Sequence, residues 1–510
     1  MSVELSADAQ GAATAAPPSA PAERRSPTAT VARGALALLS TQPLTWATTL
    51  ATIVLLPRYL GDQGFGQLSM ALSISLLVGM VALFGMPTYL RRRVAAEPAC
   101  AALYGTGALI ILLGLGLVLA IGVTLACWWL GLPVARDHVL ALAFVCTGVS
   151  SASSVLFSLL NGLERHARFA WLNAGTDVFV RVAGLIVLVA GASLPLYLGT
   201  AAVAATMALL FGWRTSGIGL QRAALDPRLL RELLRGGSTF LAWNVVTQIR
   251  MHGDVILVGL LLSEQAAGWL SAAYRIISIP VFIPTAIVTP LLPALTRSAP
   301  DPAAFQHTLR RSLEMTLLLT VPAAMGIVAL APVVPDLLRW GPEFQHTVPL
   351  MMLLAFQQPL MGASLVLGTG LMALHDERRW LRVLIVAAGF NIALNLLLVP
   401  VFEHWLQHGA LAAALVEVVT EAIMLGGALL LLPRGTVDRR MLTLSGRVVL
   451  AGAALLVVTT LLRPLFVPLA MVVGGLAYVA AALALRVVAP ADLRRLGGTA
   501  VQRLARRSRA

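Results

Sequence analysis

Fourteen stretches of this chain are each long and apolar enough to cross a lipid bilayer, and that leaves few folds open. A span needs about 20 mainly apolar residues. Such runs fall at 34–57, 66–90, 102–130, 139–162, 169–191, 194–213, 237–262, 267–293, 315–335, 346–373, 381–401, 409–432, 447–463 and 467–486. Hydrocarbon offers no hydrogen-bond partner to the backbone, so runs of this kind become helices. Composition agrees. The chain is 58% hydrophobic and 12% charged, whereas soluble proteins are about 25% charged. That is too little polar surface to cover a water-exposed body, which excludes a soluble enzyme and a disordered scaffold. The expected fold is an all-α polytopic membrane protein.

The net charge of +14 comes from arginine alone, because the chain contains no lysine. If the N-terminus is cytoplasmic and there are fourteen crossings, thirty arginines fall in cytoplasmic segments. Four fall outside (Arg58, Arg136, Arg339, Arg463) and three within spans (Arg181, Arg250, Arg275). This is the positive-inside pattern, and shifting the register by one helix destroys it. It places both termini in the cytoplasm and explains the charge without nucleic acid. Cys100, Cys127 and Cys146 have neither zinc nor disulfide spacing. Residues 1–33, rich in Ala, Pro and Ser, read as a disordered cytoplasmic tail rather than a signal peptide.

The chain also resembles itself at an offset of 202 residues. Residues 51–74 and 253–276 share Leu55/Leu257, Gln63/Gln265, Gly66/Gly268, Leu68/Leu270, Ser69/Ser271, Ala71/Ala273 and Ile74/Ile276, with Asp62 matched by Glu264. Two greasy helices share Leu and Ala by chance, but not a polar turn of acid–Gln–x–x–Gly in one register. Both copies start from the cytoplasmic side, so the halves form a parallel repeat about an axis along the membrane normal. The expected organisation is an N-lobe over 34–213 and a basic linker over 214–236, read as an amphipathic cytoplasmic helix. A C-lobe over 237–433, two further spans over 434–489 and a basic tail over 490–510 follow. The two six-helix lobes are then related by a pseudo-twofold.

These features resemble the multidrug/oligosaccharidyl-lipid/polysaccharide exporter (MOP) superfamily, and within it the polysaccharide-transporter family of Wzx-type flippases. RYLGDQGFGQLSMALS (58–73) is similar to that family's first-loop pattern, and DVILVGLLLSEQAAGWLSAAYRI (254–276) to its signature for spans seven and eight. TPLLPALTR (289–297), NIALNLLLVP (391–400) and GALAAALVEVVTE (409–421) follow in the expected order, so the resemblance runs over 34–432. It implies a flippase in the bacterial inner membrane that carries a polyprenyl-pyrophosphate-linked oligosaccharide to the outer leaflet by alternating access. The implied partners are that lipid-linked oligosaccharide, membrane lipids, H+ or Na+ as a coupling ion, and polysaccharide-assembly proteins.

Each ionisable group at mid-membrane costs roughly 2.5–3.5 kcal/mol on insertion scales and needs a reason. Arg250 and Arg275 both fall near mid-depth, with Asp254, Gln248, Asn244 and His252 on the same span as Arg250. They are expected to form one cationic patch between the lobes that holds a pyrophosphate by bidentate guanidinium contacts. The other reading is that Asp254 pairs with one of the two arginines and only fastens helices. Asp177 and Arg181, at i and i+4 on span five, read as a self-balanced pair, or as the first lobe's share of the cavity with Asn173. Glu417 and Glu421 lie one turn apart with no cation nearby in sequence. They read as a pair bonded to Asn391 and Asn395, or with Glu421 hydrated near the cytoplasmic end; the functional alternative is that they share a proton and couple transport to an ion gradient. Gln357, Gln358, Gln42 and Thr45 are weaker candidates for sugar hydroxyls. Prolines 280, 284, 290 and 293 should kink span eight.

No P-loop and no nucleophile–base constellation occurs, and the external loops are short, so neither enzyme chemistry nor a cofactor is expected. The alternatives are a peptidoglycan-precursor flippase and a cation-coupled multidrug exporter, of which the latter should favour acids and aromatics in its cavity.

Overall fold

The computed structural model describes residues 27–132, 138–433, 435–436 and 438–487, and the surroundings of side chains from residue 40 onward. Arg136, Arg434, the tail 490–510 and most of the tail 1–33 lie outside these residues. Among the described residues all regular structure is helical. The N-terminal half holds α1 (Pro27–Leu83), α2 (Met86–Ala96), α3 (Ala101–Trp129), α4 (Val139–Gly162), α5 (His166–Val189) and α6 (Leu194–Ser216). The C-terminal half holds α7 (Pro227–Leu261), α8 (Glu264–Ile277), α9 (Phe282–Ser298), α10 (Pro302–Leu330), α11 (Val334–Leu337), α12 (Thr347–Leu354), α13 (Gln357–Ala373), α14 (Glu377–Leu406) and α15 (Ala410–Leu431). Two final helices, α16 (Arg439–Leu462) and α17 (Val467–Ala484), pack on each other and on α10.

Eleven of the helical stretches are long and apolar enough to cross a membrane, and the bent pair 342–354 and 357–373 makes twelve. Two more spans are hidden from a test of length and hydropathy. α1 is two arms joined at Gly61, whose φ of 64° breaks the helix, and each arm is a span. α7 falls short of the hydropathy test because polar side chains interrupt its second half. With both counted, the described residues of this multi-pass membrane protein hold fourteen spans.

Three differences from the sequence expectation have plain causes. The end of the presumed tail is helical, since α1 starts at Pro27, a residue suited to a first helical turn. The linker 214–236 is not a separate helix. α6 ends at Ser216, and Asp226 caps α7 by accepting from Arg228 N at 2.9 Å, so residues 227–236 run straight into span seven. Span eight is broken rather than merely kinked. A 3-10 turn at Ile279–Val281 around Pro280 separates α8 from α9, and the Ile277 carbonyl, freed by the break, accepts from Gln358 Nε2 at 2.7 Å.

The two ends of the bundle are built differently. Near Gly66 one apolar core runs through both lobes, from Phe65, Leu68 and Met70 to Leu270 of α8, Leu350 of α12 and Ala413 of α15. Here the repeat predicted from sequence becomes a contact. A Cβ on Gly66 would collide with the Glu264 carbonyl, and a Cβ on Gly268 with the Asp62 carbonyl. The two equivalent turns therefore cross backbone to backbone. At the arginine-rich end each lobe has its own core, around Leu90, Leu159 and Leu233 in one and Leu295, Leu309 and Leu371 in the other. There the start of α7 packs into the N-terminal core through Leu229 and Leu233, and it crosses the start of α2 where Gly85 meets the Gly237 carbonyl and Gly237 the Phe84 carbonyl.

Candidate functional site

Five helices of the C-lobe bring a buried polar network together. Arg250 of α7 reaches α15, where Nη1 donates to Glu417 Oε1 at 3.2 Å and Glu421 Oε1 at 2.6 Å. The three side chains are 11%, 3% and 0% exposed. Gln357 Nε2 of α13 donates to Glu417 at 2.7 Å, and Asn391 Nδ2 of α14 donates to Glu417 and to Thr420. Asp254, one turn beyond Arg250, accepts from Tyr274 OH at 2.6 Å and Asn395 Nδ2 at 2.8 Å. The network thus holds three carboxylates and one guanidinium. Among the described residues several of its oxygens are buried without a partner, namely Gln357 Oε1, Asn395 Oδ1 and Glu421 Oε2.

These contacts correct three expectations. Glu417 and Glu421 do have a cation, which was invisible in sequence because Arg250 lies 167 and 171 residues away. Asp254 pairs with neither Arg250 nor Arg275, because Tyr274 and Asn395 take both its oxygens. Arg250 does not share a patch with Arg275, because its side chain turns into the C-lobe while that of Arg275 turns to the N-lobe.

Arg275, on the last turn of α8, lies over the Phe65 ring at 4.8 Å from its centroid and is half-buried. Among the described residues its guanidinium has no hydrogen-bond or ion-pair partner. Tyr197 of α6 and Arg181 of α5 are within electrostatic reach. Arg181 Nε donates to Asp177 Oδ1 at 2.8 Å, and its Nη1 donates to Thr49 Oγ1 of α1 at 3.2 Å. The Arg181 and Asp177 side chains remain 34% and 38% exposed. Asn244 and Gln248 of α7 are half-buried and make no hydrogen bond among the described residues. Where α7 meets the second arm of α1, His252 Nδ1 lies 3.5 Å from Ser73 Oγ.

Two arginines against one aspartate leave the group around Arg275 with a net positive charge between the lobes. An unpaired guanidinium on an aromatic face suits a planar, multiply charged oxyanion. Sequence reasoning found Arg275, Arg181 and Asp177, but not Phe65, Thr49, Tyr197 or Tyr274. An aromatic or hydroxyl residue in an apolar run carries no signal until the helices are docked.

A family model described as "Polysaccharide biosynthesis protein" matches residues 31–299. A protein of Haemophilus influenzae named "Probable lipid II flippase MurJ" is 29% identical over 204 residues, 37% of this chain and 38% of that one. A protein of the same name from Vibrio cholerae is 28% identical over 193 residues, 36% of this chain and 34% of that one. The aligned part thus spans little more than a third of these relatives. Among solved structures, "Lipid II flippase MurJ, inward closed conformation" superposes with a TM-score of 0.67 at 15% identity, covering 88% of this chain and 98% of that one. An inward-facing multidrug resistance MATE family transporter of the MOP superfamily gives 0.56 at 13% identity, covering 76% and 95%. At these identities the likeness establishes a shared two-lobed fold.

Proposed function

Since the chain belongs to the polysaccharide biosynthesis protein family, within the MOP superfamily, we propose that it is a flippase for a polyprenyl-pyrophosphate-linked saccharide, and specifically for a peptidoglycan precursor. The observation that carries the transport reading is the unpaired Arg275 guanidinium beside Arg181 at the lobe interface. A soluble headgroup with two phosphates would bind there while its lipid tail stayed in the bilayer. Charge-assisted hydrogen bonds of this kind contribute about 1.5–3 kcal/mol each. The choice of precursor is supported by the two curated relatives, both named for lipid II. Transport of a lipid-linked oligosaccharide is the second reading, favoured by the description of the family model. The arginine distribution supports a cytoplasmic location for both termini and an inner-membrane location for the chain.

The C-lobe network suits ion coupling. Three carboxylates around one guanidinium leave two negative charges uncompensated in a medium that tolerates none. Protons or a sodium ion would complete it, and loading or release would change how α7 packs on α14 and α15.

The experiment is a flipping assay in proteoliposomes with fluorescent lipid II and, separately, a polyprenyl-pyrophosphate oligosaccharide. Wild type should move lipid II, and Arg275→Ala should slow it about tenfold or more. Transport of the oligosaccharide alone would replace the first reading by the second, and transport of neither would reject both.

A further inference from the structure

Away from the lobe interface, α10, α16 and the end of α17 enclose a cavity of about 170 Å³ at the arginine-rich end of the bundle. Its lining includes Arg311, Glu314, Arg440, Arg447 and Arg486. Arg311 and Glu314 come from α10 and touch at 3.5 Å. Arg440 and Arg447 are seven residues apart on α16, hence on one face. Arg486 arrives from α17 with its backbone turned to φ 53° just past the helix end. The guanidiniums of Arg440, Arg447 and Arg486 have no hydrogen-bond or ion-pair partner among the described residues.

With Arg311 set aside, Arg440, Arg447 and Arg486 bring three guanidiniums from two helices to the lining. A second basic hollow, beside Tyr89, takes Arg228, Arg231 and Arg235 from one helix, α7, as an ordinary solvated helix face would. Here the arginines, also exposed, come from three helices to the rim of one hollow, which gathers like charge around it and suits an anion. Thr443, Leu444 and Val487 complete the lining. The flank of α16 and α17 continuing into the span is apolar and open, with Leu450 62% and Leu483 42% exposed. A ligand matching both parts has an anionic phosphate head and hydrocarbon chains.

We propose that this cavity holds the phosphodiester headgroup of an anionic phospholipid of the arginine-rich leaflet, with its acyl chains along α16 and α17. Basic pockets between spans on the cytoplasmic side are a known way of holding such headgroups. The site is separate from the Arg275 group and does not depend on what the protein transports. A lipid bound there would clamp the last two helices to α10 of the C-lobe.

The test is native mass spectrometry of the full chain, released from detergent with phosphatidylglycerol, phosphatidylcholine or inorganic phosphate added in turn. Wild type should retain phosphatidylglycerol over phosphatidylcholine, and excess inorganic phosphate should not displace it. The triple variant Arg440→Gln/Arg447→Gln/Arg486→Gln should retain it about tenfold or more weakly. Arg439→Gln, an exposed neighbour outside the lining, should behave as wild type and so reports on folding and on general charge loss. Three results would overturn the proposal. They are equal retention by the triple variant, equal loss in Arg439→Gln, and displacement by inorganic phosphate, which would mark a site for a free anion.

Discussion

Arg250 and Arg275 occupy successive spans at similar depth, yet the protein treats them in opposite ways. Arg250 is enclosed by two carboxylates of the helix it packs against and is nearly inaccessible. Arg275 lies on a phenyl face with another arginine in range and no acid to neutralise it. The first is a fastening within the C-lobe, carrying more acid than base. The second is a charge left open where the lobes meet. An arginine in a bilayer therefore says little about function by itself; what decides is whether its neighbours cancel it.

Removing each element in turn sharpens this contrast. Arg250→Ala strands two buried carboxylates and should lower stability by about 3–5 kcal/mol, read by thermal unfolding in detergent. Replacing Arg250, Glu417 and Glu421 together by leucine should recover much of that loss, because no charge is then left unpaired. If Arg250→Ala unfolded like wild type, the fastening role would be wrong.

Gly66→Val acts on the other arginine. A side chain there must displace the Glu264 backbone, lifting α8 from the second arm of α1 and Arg275 from Phe65. Overpacking of this kind costs about 1–3 kcal/mol. The accompanying change should be labelling of Ser271→Cys, buried in wild type, by a thiol reagent added from outside. The Arg250–Glu417–Glu421 ion pairs involve neither α1 nor α8 and should survive, whereas Tyr274 of α8 would part from Asp254. Unchanged labelling would count against a seal made by the glycine crossing.

The smallest expected effect is one of pH, at the end of α8 remote from Arg275. Trp269 stacks on His346 at 4.3 Å and meets His408 edge-on at 6.1 Å, while its Nε1 donates to Asp62 at 3.1 Å. His408 Nε2 donates to the His346 carbonyl at 3.1 Å, and its Nδ1 is buried without a partner. Burial holds His408 below the ordinary histidine range, with the His346 ring also disfavouring charge and Glu403 opposing it. A histidine depressed in the fold takes up a proton more readily when unfolded, so its stabilisation is present above about pH 6.5 and is lost as pH falls below it. Between about pH 7.5 and 5.5 wild type should lose more thermal stability than His408→Gln. An equal loss in both would remove His408 from the account.

The spans were legible because a long apolar run has one use in a chain of this composition; the run 139–162 is α4 to the residue. The repeat was legible because its polar turn kept Asp62, Gln63 and Gly66 in register with Glu264, Gln265 and Gly268, and these turns are what cross in the fold. The 44° bend between α12 and α13 has a sequence cause in Pro359, which has no N–H for the Ala355 carbonyl, but the size and direction of the bend depend on how the helices dock. Pairing of the mid-membrane charges was not legible. Position in a span fixes depth, but which way a side chain points depends on how helices rotate against each other. That rotation sends Arg250 to α15 and Arg275 to Phe65.

The most direct measurement of the open charge is binding of a polyprenyl pyrophosphate carrying no sugar, titrated into the protein in nanodiscs of zwitterionic lipid. Wild type should bind it, Arg275→Ala should bind about tenfold or more weakly with unchanged thermal stability, and Arg339→Ala, at the opposite end from the arginine-rich segments, should match wild type. Equal affinity for wild type and Arg275→Ala would contradict the claim that this guanidinium is left unpaired to receive a diphosphate.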